Sequence, residues 1–257
     1  MGPGSVHFLV STTKGYSLNI SVRVGTNLIL AVAVWVSPCV LEAYQEVTGL
    51  GGTVIKGQVT FNGEIPRIAS LQVNRDEKFC GESLPDDSLL VDSGSKGISH
   101  IVVNLMRIAS GKPLPQKNPL QLDNRGCRFQ PSVLLGVEGS LLNIENADPV
   151  LHNTHILQDD QTFLNVALPP GGRTIRKTLK EAGRLDVRCD AHKFMRASLH
   201  IFDHPYFTST DETGHFELPQ VPPGTHRIQF WHQTLGVKEL TLTVNESVPS
   251  VINVSFP

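Results

Sequence analysis

The 257-residue chain has no surplus of positive charge: 22 Lys and Arg stand against 24 Asp and Glu, a formal net charge of −2. Nucleic-acid binders neutralise phosphates with clustered Lys and Arg, so nucleic acid is not an expected partner. The motifs of several enzyme classes are also missing. There is no His-Glu-x-x-His pair for a catalytic zinc, no Gly-x-Ser-x-Gly elbow and no glycine-rich phosphate loop, and the expectation is a protein that is not an enzyme. Helix-favouring apolar runs are few, whereas 22 Gly and 17 Pro punctuate the chain. That pattern specifies short strands joined by turns, an all-β fold. Neither an internal repeat nor a long low-complexity segment is present.

The run Leu28 to Val36 (LILAVAVWV) is apolar over only nine residues, too short to cross a bilayer, which takes about 20. With Arg23 before it and Leu41-Glu42-Ala43 after it, it has the length of a signal-peptide core. Residues 1–43 therefore read as an export leader with a long n-region, an extended leader or an upstream mis-assigned start. A lipoprotein anchor at Cys39 competes with this, but Pro38 directly before the cysteine fits it poorly. Export implies a periplasmic or extracellular protein that touches a membrane only through its N-terminal segment. If Cys39 leaves with the leader, Cys80, Cys127 and Cys189 remain, enough for one disulfide and one special thiol. Cys80 and Cys127 sit in turn-like stretches expected near the surface, and a disulfide between them is predicted.

Strands are expected at Thr53 to Phe61, in two short pieces at Leu71 to Val73 and Ser88 to Val91 within a long decorated loop, and at Ile101 to Met106. From Leu120 they come closely spaced: 120–122, 128–137, 140–145, 152–157, 173–180, 183–188 and 196–202, a small sandwich or barrel. Further strands are expected near 214–218, 227–232, 237–244 and 248–256.

The densest chemistry lies in Cys189-Asp190-Ala191-His192-Lys193-Phe194-Met195, which places a thiolate, an imidazole and a thioether within seven residues. These are soft ligands, and the set points to copper ahead of zinc or iron–sulfur centres. A copper electron-transfer site takes two neutral imidazoles and a thiolate in a plane, with a weak axial thioether. Cys189, His192 and Met195 supply three of the four. The second imidazole is sought in the upstream run from Asp148 to His155. Side chains alternate along a strand, so His152 and His155 face opposite ways and only one can meet the loop, but alternation leaves open which. Singly, each residue has a plainer reading, a buried free cysteine, an ordinary histidine or a core methionine. Zinc is disfavoured because structural zinc sites use Cys and His rather than Met.

Phe129-Gln130-Pro131, Gly139-Ser140-Leu141, Asn146-Ala147-Asp148, His152-Asn153 and Cys189-x-x-His192-x-x-Met195, in this order, resemble a cupredoxin, the blue-copper family of plastocyanin and amicyanin. The two-residue gap between His and Met is most similar to amicyanin. The resemblance covers roughly residues 120–203 and implies a domain over 113–204. It selects His152, and it implies that His152, Cys189, His192 and Met195 hold one copper ion as a type 1 site. It further implies that Asn153 hydrogen-bonds the cysteine loop and that His155 packs on the opposite face. Electrons are then expected to pass through the His192 ring edge, exposed amid apolar residues with Phe194 as a candidate among them.

Thr210 to Leu218 followed by Val221-Pro222-Pro223-Gly224-Thr225-His226 resembles the carboxypeptidase regulatory-like domain, a transthyretin-like sandwich, with His226 where Tyr is usual. Gly57-Gln58-Val59 and Ile101 to Met106 are similar to its opening strands. The reading is that 52–112 and 205–257 pair into one sandwich with the cupredoxin inserted, which an exposed loop with close ends permits. A tandem arrangement is the simpler alternative. His204, His215, His226 and His232 read as partly exposed or hydrogen-bonded, with His232 paired to Trp231. The expected function is an exported blue-copper electron carrier serving a redox partner protein, a cytochrome being one such class. The alternatives are a scaffold with a vestigial site, and copper storage or delivery.

Overall fold

The computed structural model describes residues 6–11, 17–22, 43–49, 51–246 and 248–257. Most of the expected leader, including Leu28 to Val36, lies outside the described residues. Its described parts are the strands Val6–Ser11 and Ser17–Val22, paired antiparallel. Residues Glu42–Pro257 form a compact unit of their own. Apart from the single helical turn Glu77–Cys80, the named elements are strands, so the fold is all-β. Among the described residues no helix is long and apolar enough to cross a membrane.

The middle of the chain builds two facing sheets. One orders Phe129–Gln130, Leu120–Asn124, Leu141–Asn146 and Ile175–Thr178; the other orders Val133–Val137, Arg196–Phe202, Gly183–Arg188, His152–Gln158 and Gln161–Leu168. Alternation decides which side chains meet between them. In Gly183–Arg188, Leu185 and Val187 turn inward while their neighbours do not, and they join Leu122, Leu142, Ile144, Ile156 and Leu199 in one buried cluster. Each such side chain contributes about 1.5–3 kcal/mol by leaving water. The expected single strand 128–137 is two strands in different sheets. Pro131, which has no N–H to give to a ladder, stands where the chain crosses from one sheet to the other.

Both ends of the unit build a second pair of sheets. Thr53–Phe61 is central in one, hydrogen-bonded antiparallel to His215–Val221 and parallel to Ser250–Phe256. Phe207–Ser209, Val102–Met106, Gly224–His232 and Gly236–Val244 form the other. A separate buried cluster, with Ile55, Val59, Val103, Leu105, Phe216, Ile228 and Phe230, fills the space between. Gly57 permits the parallel pairing: a Cβ there would lie 1.6 Å from the Ile252 carbonyl oxygen.

Other differences from the sequence reading are local. Gln161–Leu168 is a strand that was not expected; it lies at a sheet edge, paired on one side only, and its burial does not alternate cleanly. Ser88 to Val91 forms no strand, only an isolated bridge from Val91 to Ile98, whereas Ser83–Pro85 pairs with Ser70–Gln72. Cys80 and Cys127 are not near the surface but buried. They are joined as a disulfide within a small cluster that includes Val73, with Leu84 and Phe194 against it.

Candidate metal centre

His152 opens its strand, and Cys189 follows Arg188 at the end of the neighbouring strand, so the sheet register brings both to one end of the sandwich. The loop from Cys189 to Met195 is closed by its own backbone. The Met195 N–H donates to the His192 carbonyl at 2.9 Å, and the Cys189 N–H to the Met195 carbonyl at 3.4 Å. His152, Cys189 and His192 thereby converge, with one ligand atom of each within 4.8 Å of the others. His152 and His192 are wholly buried, and Cys189 and Met195 nearly so. Met195 packs in the same apolar cluster as Cys189.

The ring orientations carry the chemistry. His152 Nε2 lies 2.9 Å from Asp148 Oδ2, and His192 Nε2 lies 3.1 Å from Asp76 Oδ2. A carboxylate accepts, so each Nε2 carries a proton and donates it. The Nδ1 atoms are then left with lone pairs, yet they face one another at 3.1 Å, with Cys189 Sγ 3.7 Å from that of His192. Three converging donors need a cation among them, either a proton or a metal ion. Ligands bound at about 2.0–2.3 Å to one ion lie about 3–4 Å apart, and both spacings fit. A carboxylate behind each imidazole is the usual way such ligands are oriented.

The surroundings shift the titration of Cys189 and His152 toward their charged forms. Burial works against the Cys189 thiolate, but hydrogen bonding from His152 and from the N–H groups of Asn153, His192 and Ala191 outweighs it and lowers the thiol pKa. Burial likewise opposes the His152 cation, and its contacts with Cys189 and Asp148 together raise its pKa. Burial and the neighbouring His152 push His192 down against the pull of Asp76. A metal ion held by His152, Cys189 and His192 would take the place of that proton.

Asn153 ties the strand to the loop. Its N–H donates to Cys189 Sγ at 3.4 Å, its Oδ1 accepts from the Asp190 N–H at 2.5 Å, and its Nδ2 donates to the Asp190 carboxylate at 3.1 Å. His155 points away from the centre, with Nδ1 3.1 Å from Asp190 Oδ1 and Nε2 2.9 Å from Thr162 Oγ1.

Two side chains that the sequence reading did not place at the site are Asp148 and Asp76. Asp148, buried, accepts from the N–H groups of Gly126 and Cys127 at 2.7 and 2.8 Å besides meeting His152. Its signal was faint, a carboxylate four positions before a histidine. Cys127, Asp148 and His152 also cluster, but the Cys127 sulfur is committed to the disulfide and offers no thiolate.

The expected exit through an exposed His192 edge is corrected. His192 has no exposed surface: Asp76 stands over its Nε2, and His152 and Phe194 pack against the ring. Phe194 is not on a free apolar patch but sits between the sandwich core and the disulfide cluster. Beside it opens a cleft of about 260 Å³ lined by residues that include Arg128, Lys193, Met195, Arg196 and Trp231.

The C-terminal histidines are hydrogen-bonded. His204 Nδ1 accepts from the Tyr206 N–H, His232 Nδ1 from that of Thr234, His226 Nε2 donates to the Pro222 carbonyl, and His215 pairs with Thr213. The aromatic partner of Trp231 is His200, 4.5 Å away edge-on, rather than His232.

No protein-family model matches the chain, and no curated protein matches it. Among solved structures, a copper-containing nitrite reductase from Thermus scotoductus SA-01 aligns at 22% identity and TM-score 0.30, over 33% of this chain and 22% of the other. The chain thus spans about a fifth of that enzyme's length. Amicyanin from Paracoccus versutus aligns at 17% identity and TM-score 0.30, over 35% of this chain and 85% of the other. A purple cupredoxin from Nitrosopumilus maritimus aligns at 19% identity and TM-score 0.29, over 32% of this chain and 99% of the other. In each case the similarity spans about a third of this chain.

Proposed function

We propose that this protein is an exported type 1 copper protein that carries single electrons and catalyses no bond change itself. The observation that carries the reading is the buried convergence of His152, Cys189 and His192; Met195, whose backbone closes the same loop, would supply the thioether. Thiolate with two imidazoles is the donor set of blue-copper centres. When bound, copper supplies one-electron chemistry. The chain's own residues aim the Nδ1 atoms of both imidazoles at one another, lower the pKa of the Cys189 thiol and bury the donors away from water.

The transthyretin-like identity of the flanking sandwich, with the copper-bearing sandwich inserted into it, belongs to the same proposal. So does a redox partner protein, for which a cytochrome is one class. Because the His192 edge is covered, that partner meets the molecule elsewhere. The cleft beside Phe194 and Met195, lined by Lys193 and Arg196 as well as Asp86 and Asp87, is one candidate place.

The test is an optical titration of the whole protein with copper(II). An intense thiolate-to-copper absorption band at one equivalent, lost in Cys189→Ser, is the expected result. A spectrum without that band, or one that persists in the variant, counts against a type 1 site. Reversible oxidation and reduction on an electrode is expected of a carrier, whereas surrender of the metal to a chelator within seconds marks copper delivery instead.

A further inference from the structure

The carboxylate that covers His192 comes from outside the sandwich that holds the other ligands. Asp76 stands 116 positions before His192, in the excursion between strands Thr53–Phe61 and Val102–Met106. Three features fix its place. Its backbone is left-handed, with φ 57°, a conformation Asp tolerates better than most residues. Its carbonyl accepts from the N–H groups of Phe79 and Cys80, both at 2.9 Å. Cys80 is in turn bonded to Cys127, whose N–H is held by Asp148, the carboxylate behind His152. The carboxylates behind both imidazoles are thus anchored at the two ends of one disulfide.

We propose that Asp76 is a positioning residue for His192. By accepting a hydrogen bond from the Nε2–H it holds the ring in the tautomer that aims Nδ1 at Cys189 and His152, and it helps to shut the ring edge off from solvent. An imidazole without that acceptor is no longer held to one tautomer and can place its proton on either nitrogen. The effect on metal affinity rests on the copper reading above, whereas the tautomer and the shielding do not.

The experiment compares ¹⁵N-labelled whole protein with Asp76→Ala and Asp76→Asn, the latter keeping a carbonyl acceptor. Asp76 is partly exposed, so neither variant threatens the core. In metal-free protein the ring-nitrogen signals of His192 are expected to show a proton on Nε2 that exchanges slowly with water. Asp76→Ala should lose this signature and Asp76→Asn should keep it. Copper(I) affinity, read by chelator competition, should fall about 10- to 100-fold in Asp76→Ala and stay near that of the unaltered protein in Asp76→Asn. A His192 proton that stays on Nε2 with unchanged exchange in Asp76→Ala overturns the proposal, whatever the metal does. If the unaltered protein binds no copper(I) but the ring signals respond as expected, the positioning role stands and the copper reading is what fails.

Discussion

The two oxygens of Asp148 meet three partners at once: the N–H groups of Gly126 and Cys127, and the ring of His152. Hydrogen bonds to a charged acceptor contribute about 1.5–3 kcal/mol each, and donors left buried without a partner add to the loss. Asp148→Ala is therefore expected to destabilise the protein by at least about 3 kcal/mol in a denaturant titration, with Asp148→Asn recovering part of it. A loss below about 1 kcal/mol would show that the Gly126–Cys127 turn holds without it. This residue was illegible in the sequence as a site member. The Asn-Ala-Asp run marks a turn, but only the pairing of Leu120–Asn124 with Leu141–Asn146, in parallel register, brings the Cys127 turn over it.

At the scale of elements, the central strand Thr53–Phe61 joins sequence-distant partners because its backbone comes close to Ser250–Phe256. A Cβ at Gly57 would collide with the Ile252 backbone. That obstacle is main chain and cannot swing aside like a side-chain tip. Gly57→Ala is expected to cost about 1–3 kcal/mol or more, read as a lowered midpoint of thermal unfolding. An unchanged midpoint would mean that the Ser250–Phe256 strand shifts freely. Strand existence was largely readable from alternation, as in Gly183–Arg188 and Thr53–Phe61, whose bounds match the expected ones. The edge strand Gln161–Leu168 was not, since one face meets no core and a mixed polar sequence satisfies it.

Across the whole unit, the two sandwiches meet through the Cys80–Cys127 disulfide, the Arg128–Asp87 ion pair, and His200 against Trp231. The last contact has a pH signature. Burial, with the Arg184 charge adding to it, pushes His200 down to about 3, and burial with the His100 charge pushes His232 to about 4. Among the described residues His200 Nε2 has no hydrogen-bond partner, so no hydrogen bond offsets the cost of charging it. Both rings are neutral in the folded state, while unfolded histidines take up protons near pH 6.5. Acid therefore favours the unfolded state. The contribution is lost as pH falls from about 6.5 to about 4 for His232 and about 3 for His200, with a limiting slope of about 1.4 kcal/mol per pH unit for each. Denaturant titrations of metal-free protein at pH 7, 6 and 5 should show this decline, and a shallower one in His200→Asn. Parallel curves for the two would remove His200 from the account. His152, with its pKa raised, acts in the opposite sense, which is why the difference between the two proteins is the quantity to compare.

The sequence is enough for the all-β class, most strand positions and the soft donor loop from Cys189 to Met195, because alternation, turn residues and ligand chemistry are all written in neighbouring residues. It did not determine what stands behind the donors. Whether the His192 edge opens to solvent depends on Asp76, a carboxylate in no motif, whose place over the ring is set by a disulfide and a helical turn far away in the chain. Covering a surface is a property of packing between distant segments, which no local stretch of sequence encodes.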